Sequence, residues 1–271
     1  MTPPDSYPPD LYRLRDGRKY RSLHLPDETL EDLYRRALEQ TRSPKQALDV
    51  VREKLHHIVA DYLGDPDYER YKSVLSDAFS QGEDAVKAAC QTLLGVHAST
   101  RERLPVLEEF YPRLWQVTGK PETLMDLACG LNPFAFPWMR LPLTTCYYAY
   151  DLHKPRVELI NQYFKLQGLT PLAEHGDILT CPPQVPVDAA LFFKEAHRFE
   201  QRQRGCNRAF WQAIPARWLL VSLPTRSLSG KHDKLDQHRR LVYSAIEGLD
   251  WPVTEVDFGD EIVFCIQKIT E

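Results

Sequence analysis

The chain has 271 residues, a net charge of −4, 27% charged and 43% hydrophobic side chains, the make-up of a folded protein with room for two unequal domains. That balance excludes extended disorder except at the ends. No run of eighteen apolar residues occurs and the start carries no apolar stretch of signal-peptide length, so neither a membrane span nor a secretion signal is expected. The six cysteines, at 90, 129, 146, 181, 206 and 265, show neither CxxC nor zinc-finger spacing. Disulfides and metal sites are therefore not expected, and the protein reads as reduced and cytoplasmic.

Residues 1–17 are rich in proline and charge and read as a flexible tail. From about 27 to 116 the apolar pattern is helical: Leu30, Leu33, Tyr34 and Leu38 share one face, and Leu48, Val51, Leu55, Ile58 and Val59 another. Ser43-Pro44 marks a turn and helix start, and Asp65-Pro66 a second. Gly82 separates that helix from the next, Glu83 to Leu94. A further helix is expected from about Thr100, carrying Leu104, Leu107, Phe110, Tyr111 and Leu114.

After Pro121 the rhythm changes to short apolar runs alternating with helical stretches. The runs are 123–128, 146–150, 171–175, 187–193 and 218–223, which imply a parallel sheet covered on both faces. The last two runs, 252–258 and 261–266, flank Gly259-Asp260 and read as an antiparallel hairpin. A mostly parallel seven-stranded sheet closed by such a hairpin, behind a helical N-terminal domain, is the α/β, Rossmann-like class I methyltransferase plan. The division expected is 1–17 tail, 18–105 helical domain, 106–271 catalytic domain.

The turn after the first strand, Asp126-Leu127-Ala128-Cys129-Gly130-Leu131-Asn132-Pro133, is built of small residues that allow backbone to approach a ligand at the sheet's C-terminal edge. Asp151 stands 21 residues past Gly130, at the end of strand two, where a carboxylate accepts ribose hydroxyls. Asp177 ends strand three and can take an adenine amino group. The pattern fits an adenosine-type cofactor, and with no basic glycine-rich phosphate loop it favours S-adenosylmethionine over a dinucleotide.

Charge is unevenly spread. From Lys194 to Arg240 there are eleven Lys/Arg against four acids, about +7, so the remainder is about −11. Such a segment can meet phosphate even in an acidic protein, although a solvated helix face has the same composition.

Ordered motifs carry a resemblance. HASTRERL (97–104), LEEFY (107–111), DLACGLNP (126–133), YDLH (150–153), FFKE (192–195) and SLPTRSLSG (222–230), together with SPKQ (43–46), occur in the order and spacing of the Arm family. The chain resembles these aminoglycoside-resistance 16S rRNA methyltransferases, which methylate N7 of a decoding-site guanosine, from about residue 18 to 268. The resemblance implies that Arg103 pairs with the methionine carboxylate of S-adenosylmethionine and Thr100 adds a hydroxyl there, with His97 nearby. Ala128 and Gly130 would give backbone contact, Asp151 and Leu152 would meet the ribose, and Asp177 with Ile178 the adenine. Arg226, Lys194 and Lys231 would lie towards the target RNA, while Lys45 and Arg52 would dock the helical domain on 16S rRNA in the 30S subunit. The protein would act as a monomer, with S-adenosylhomocysteine as product and neither DNA nor membrane as partner.

Read alone, each residue also has a plain alternative: Arg103 as a surface ion pair, His97 as a helix end, Lys194 as a solvated strand end, Arg226 as a loop arginine. The chain departs from the family pattern at 194–200 (KEAHRFE) and 231–236 (KHDKLD). A small-molecule methyltransferase, or a cofactor-binding ribosome-assembly factor without catalysis, stand as the other readings. Guanine N7 has a free lone pair, so no general base is expected.

Overall fold

A computed structural model of the chain describes residues 7–18, 20–59, 66–225 and 234–269. Helices α1 (Pro9–Asp16), α2 (Asp27–Gln40) and α3 (Pro44–Val59) come first. They are followed by α4 (Tyr68–Gln81), α5 (Glu83–Val96), the short α6 (Ala98–Arg101) and α7 (Leu107–Thr118). The rest alternates: β1 (Thr123–Leu127), α8 (Phe136–Met139), β2 (Cys146–Asp151), α9 (Lys154–Gln167), β3 (Leu172–His175), β4 (Val187–Phe193), α10 (Ala196–Arg202), α11 (Cys206–Ala213), β5 (Ala216–Pro224), α12 (Leu235–Ala245), β6 (Val253–Asp257) and β7 (Glu261–Gln267).

The seven strands form one sheet in the order β3-β2-β1-β4-β5-β7-β6. All neighbours are parallel except the pairs made by β7. This is the expected mostly parallel sheet with an antiparallel end. Gly259, at φ 84°, supplies the left-handed turn before β7. Central β4 is apolar and buried from Ala189 to Phe193 because both its faces are covered, whereas edge strand β6 alternates with solvent. Successive residues serve opposite layers: Leu124, Leu191 and Val263 pack under α4, α5, α7 and α9, while Met125, Phe192 and Phe264 pack under α10–α12.

Several local expectations shift by a residue or more. Within residues 1–17, read as a tail, Pro9–Asp16 form a helix because Leu11 is fully buried with Leu30 and Leu55. The fourth helix begins at Tyr68, where the Asp67 side chain accepts from the Arg70 amide at 3.1 Å. The helix expected from Thr100 is broken: α6 stops at Arg101, a 3-10 turn spans Leu104–Val106 around Pro105, and α7 starts afresh at Leu107.

Packing divides the chain elsewhere than at residue 105. The α1–α3 segment has its own core, which Leu152 joins from the sheet edge. By contrast, Leu75 of α4 and Cys90 and Leu93 of α5 share one core with Phe110, Phe134, Tyr163 and Leu124. A fragment 66–271 should therefore melt cooperatively. A fragment 106–271 loses the α4–α5 layer and should bind hydrophobic dyes without a sharp transition, as differential scanning fluorimetry would show.

Candidate functional site

Two adjoining cavities open at the C-terminal edge of the sheet, where β1, β2, β3 and β4 end. The larger, of about 610 Å³, is lined by Ala128, Asp151, Leu152, Asp177, Ile178 and residues of α3 and α10, a volume suited to an adenosine-sized ligand. The smaller is a slot of about 30 Å³ lined by His97, Thr100, Arg103, Gly130 and Asn132 among others, with room for about one water. Ala128, Asp151, Glu195 and Arg198 line both. All nine residues read from the sequence as cofactor contacts thus border one continuous site.

The turn after β1 is held from β2. Cys129 donates its amide to the Tyr150 carbonyl at 2.9 Å, and Gly130 donates its amide to Asp151 Oδ2 at 2.9 Å. Gly130 has φ 55°, and Ala128, a residue with a Cβ, is also left-handed at φ 52°. Such a conformation costs about 1–3 kcal/mol and persists because the surroundings fix it. Asp151 is buried and also accepts from the His153 amide at 2.8 Å and from Arg156 Nη1 at 3.1 Å. Tyr68 of α4 takes a hydrogen bond from Arg156 Nε at 3.1 Å, which ties the N-terminal helices to the Asp151 corner of the cavity.

Arg103 is internal rather than a surface ion pair. Its Nε and Nη2 donate to Glu261 at 3.2 and 2.6 Å, and Nη1 to Asn132 Oδ1 at 2.7 Å. The guanidinium lies over Phe110 and Phe193, with Cζ 4.3 and 4.7 Å from the ring centres. Burial penalises its charge, but Glu261 more than offsets that and holds the group above the ordinary arginine range. Three of its five N–H groups are used by Glu261 and Asn132. Thr100 is buried, and its hydroxyl donates to the Leu94 carbonyl at 2.6 Å, so towards the slot it can act only as an acceptor. His97 Nδ1 and Ser99 Oγ are 3.2 Å apart at the rim.

Beneath the slot, Asp126 Oδ2 accepts from Asn132 Nδ2 and from Tyr147 Oη, each at 2.8 Å. Complete burial outweighs these donors and pushes its carboxyl up to about 7. Farther along the large cavity, Asp177 is held by Arg202 of α10 at 2.9 and 2.5 Å. His197 of α10 also lines the large cavity; burial first, then Arg198, His238 and Lys234, push it down to about 3, so it is neutral at physiological pH.

The residues expected towards RNA divide. Lys194, at φ 61°, turns inward, and Nζ donates to the Ser99 carbonyl at 3.1 Å and to Glu102 at 2.7 Å, with Glu261 at 3.4 Å. A buried ammonium requires acceptors, and these supply them. Lys45 and Arg52 are exposed on α3, the latter paired with Asp49 at 2.6 Å. Arg226 and Lys231 lie outside the described residues. Much of the basic segment is spent internally: Arg198 pairs with Glu195 at 2.8 Å, Arg239 with Glu255 at 2.8 Å, and Arg202 with Asp177. Sequence reasoning missed Glu261, Asn132, Arg156 and Arg202. Only Asn132 carried a signal, as part of the first-strand motif.

Among the described residues no helix is long and apolar enough to cross a membrane, and all six cysteines are free thiols.

A family model described as ribosomal RNA methyltransferase (FmrO) matches residues 16–265. The chain is 31% identical over 265 residues to the 16S rRNA (guanine(1405)-N(7))-methyltransferase of Frankia casuarinae, covering 96% of this chain and 93% of that one. It is 30% identical over 257 residues to the enzyme of the same name from Micromonospora echinospora, covering 93% of each. Among solved structures it is similar to the 16S rRNA methyltransferase RmtF in complex with S-adenosyl-L-homocysteine, at 28% identity and TM-score 0.76 over 96% of both chains. The 16S rRNA methylase RmtB shares the fold at 23% identity and TM-score 0.75, with 96% and 97% covered.

The raised Asp126 carboxyl has a consequence for stability. A folded-state value above the unfolded one means the folded protein binds the extra proton, so stability present at low pH is lost as pH rises through about 7. Asp126→Asn keeps an acceptor for Asn132 and Tyr147 and removes that titration. Relative to the parent, its stability should rise by up to about 1.4 kcal/mol per pH unit below pH 7 and then level off, as urea melts between pH 5 and 8 would show. Parallel curves for the two proteins would contradict the assignment.

Proposed function

The chain belongs to the ribosomal RNA methyltransferase (FmrO) family, and from that premise we propose that it transfers a methyl group from S-adenosylmethionine to N7 of a guanosine in the decoding region of 16S rRNA. The substrate is the assembled 30S subunit, the setting is the cytoplasm, and the outcome is aminoglycoside resistance. The observation that carries this reading is the family match over residues 16–265, joined to a cavity whose lining supplies the groups an adenosine cofactor needs. The inward turn of Lys194 and Arg202 removes part of the charge argument for RNA, so the substrate assignment rests on the family. It would act as a monomer.

The residues fit the cofactor. Asp151 and Leu152 would hold the ribose, and Asp177 and Ile178 the adenine. His97, Thr100 and the remaining N–H groups of Arg103 would take the methionine end, with Ala128 and Gly130 in backbone contact. When bound, S-adenosylmethionine supplies an electrophilic methyl on a sulfonium. The Glu195–Arg198 pair, partly exposed at 19% and 38%, borders both cavities. N7 requires no deprotonation, so the protein's contribution is alignment and the exclusion of water around the reacting atoms. A base stacked in RNA must leave the stack to reach the junction. Arg226 and Lys231 would meet the target RNA, and Lys45 and Arg52 the body of the subunit.

Incubation with S-adenosylmethionine and unmodified 30S subunits, followed by reduction and aniline cleavage at 7-methylguanosine, should give one new cleavage in the decoding region. No cleavage with cofactor binding intact would contradict the reading. Asp151→Asn should weaken cofactor binding by about 1.5–3 kcal/mol by calorimetry, the range for a hydrogen bond to a charged group. Arg226→Ala should leave cofactor affinity unchanged while lowering methylation of 30S subunits; a loss of both would place Arg226 at the cofactor instead.

A further inference from the structure

The carboxylate expected to take the adenine amino group is already engaged. Asp177 Oδ1 and Oδ2 accept from Nη1 and Nη2 of Arg202 at 2.9 and 2.5 Å, and Oδ1 also accepts from the Leu179 amide at 3.1 Å. An ionised carboxylate offers about four acceptor positions, so about one is left for a ligand. Arg202 is almost as buried as its partner, with side-chain exposures of 7% and 1%.

On its far side Arg202 meets α2. Its Nη2 is 3.8 Å from Asp32 Oδ2. Asp32 is itself buried, and it accepts from Arg35 at 2.6 Å and Arg36 at 2.8 Å, both of which reach solvent. Charges therefore alternate from the surface of α2 to the cavity wall: Arg35 and Arg36, then Asp32, then Arg202, then Asp177. Lys54 of α3 donates from Nζ to the Arg202 carbonyl at 3.1 Å and fixes the same corner. Asp177, Arg202 and Lys54 line the large cavity, whereas Asp32 does not.

We propose that Arg202 is a positioning residue that orients Asp177 towards the cofactor's adenine, and that this orientation depends on α2 through Asp32. The inference rests on the reading of the large cavity as the adenosine site. A planar guanidinium fork fixes the plane of the carboxylate it grips, which a lysine ammonium cannot do. Removing the fork leaves a buried carboxylate without its cation, an arrangement relieved by movement or protonation, and either one spoils the acceptor for the amino group. Neutralising Asp32 leaves three guanidinium groups around an uncharged amide. Their repulsion drives Arg202 and α2 apart, and the fork loses its anchor from behind.

The test measures S-adenosylhomocysteine binding by calorimetry, and the KM for S-adenosylmethionine and kcat on unmodified 30S subunits, with the full-length protein. Asp32→Asn should raise both Kd and KM about fivefold or more, the size of a moderate coupling between sites. Its kcat at saturating cofactor should stay within about twofold, the scatter of independent effects. Arg202→Met should raise Kd at least as far, and Arg202→Lys should recover part of the loss. The double variant should bind no worse than Arg202→Met alone, since Asp32 acts only through Arg202. If Arg202→Met does not fold, Asp32→Asn and Arg202→Lys carry the test through the same KM-against-kcat split. Parental affinity in Asp32→Asn would overturn the link to α2. A loss of kcat and melting temperature together, without a KM effect, would reduce Arg202 to a structural ion pair. Asp177→Asn separates the two readings: parental affinity there overturns the adenosine site itself, while a loss there with Arg202→Lys unimpaired overturns the positioning role alone.

Discussion

A guanidinium shut away from water must be surrounded by acceptors, and the catalytic end of this molecule is arranged around one such group. Arg103 draws Glu261 from the start of β7, Asn132 from the turn after β1, and the faces of Phe110 and Phe193 from α7 and β4. Glu261 in turn receives Lys194 from the end of β4, and Asn132 binds Asp126 and Tyr111. Four segments far apart in sequence are thereby brought to one point beside the smaller cavity. Replacing such a web by apolar groups can be neutral for stability, but removing a single member strands a charge at a cost of about 3–5 kcal/mol.

How far the sequence disclosed this depends on what kind of signal each feature leaves. The sheet was legible because β1, β2, β4 and β5 are apolar runs too short for helices, and Gly259-Asp260 marks the hairpin. Asp151 and Asp177 could be picked out as carboxylates that follow short apolar runs, and both line the large cavity. The direction in which a side chain points was not legible. Lys194 follows an apolar strand, as a solvated end would, and only the left-handed backbone at that residue turns it inward towards Glu102 and Glu261. Arg202 sits in a basic stretch indistinguishable from a surface helix until α10 is packed against α3 and its arginine meets Asp32 of α2. The broken helix around Pro105 was readable from the proline, but the run Leu104, Leu107, Phe110, Tyr111 and Leu114 keeps helical spacing across the break.

The N-terminal helices play two parts. The first three have a core of their own and touch the catalytic region through side chains such as Leu152, Lys54 and Arg202. The next two form a layer of the sheet's main core, and Tyr68 from α4 reaches the Asp151–Arg156 pair. A compositional boundary between helix-rich and strand-rich sequence therefore falls inside one packing unit. Secondary structure changes at residue 123, whereas the separate core ends with α3.

Arg103 and Glu261 are 158 residues apart in the chain, and that separation imposes an order of events. During synthesis the arginine leaves the ribosome long before its acid exists, and the slot it shapes has no partner charge until the hairpin is made. The slot is thus among the last parts of the molecule able to close, after the sheet's parallel strands have already found one another. A nascent or truncated chain ending before the hairpin would carry a helix-rich, sheet-bearing body with an unneutralised cation at its centre, a state exposed to proteolysis and slow to bury.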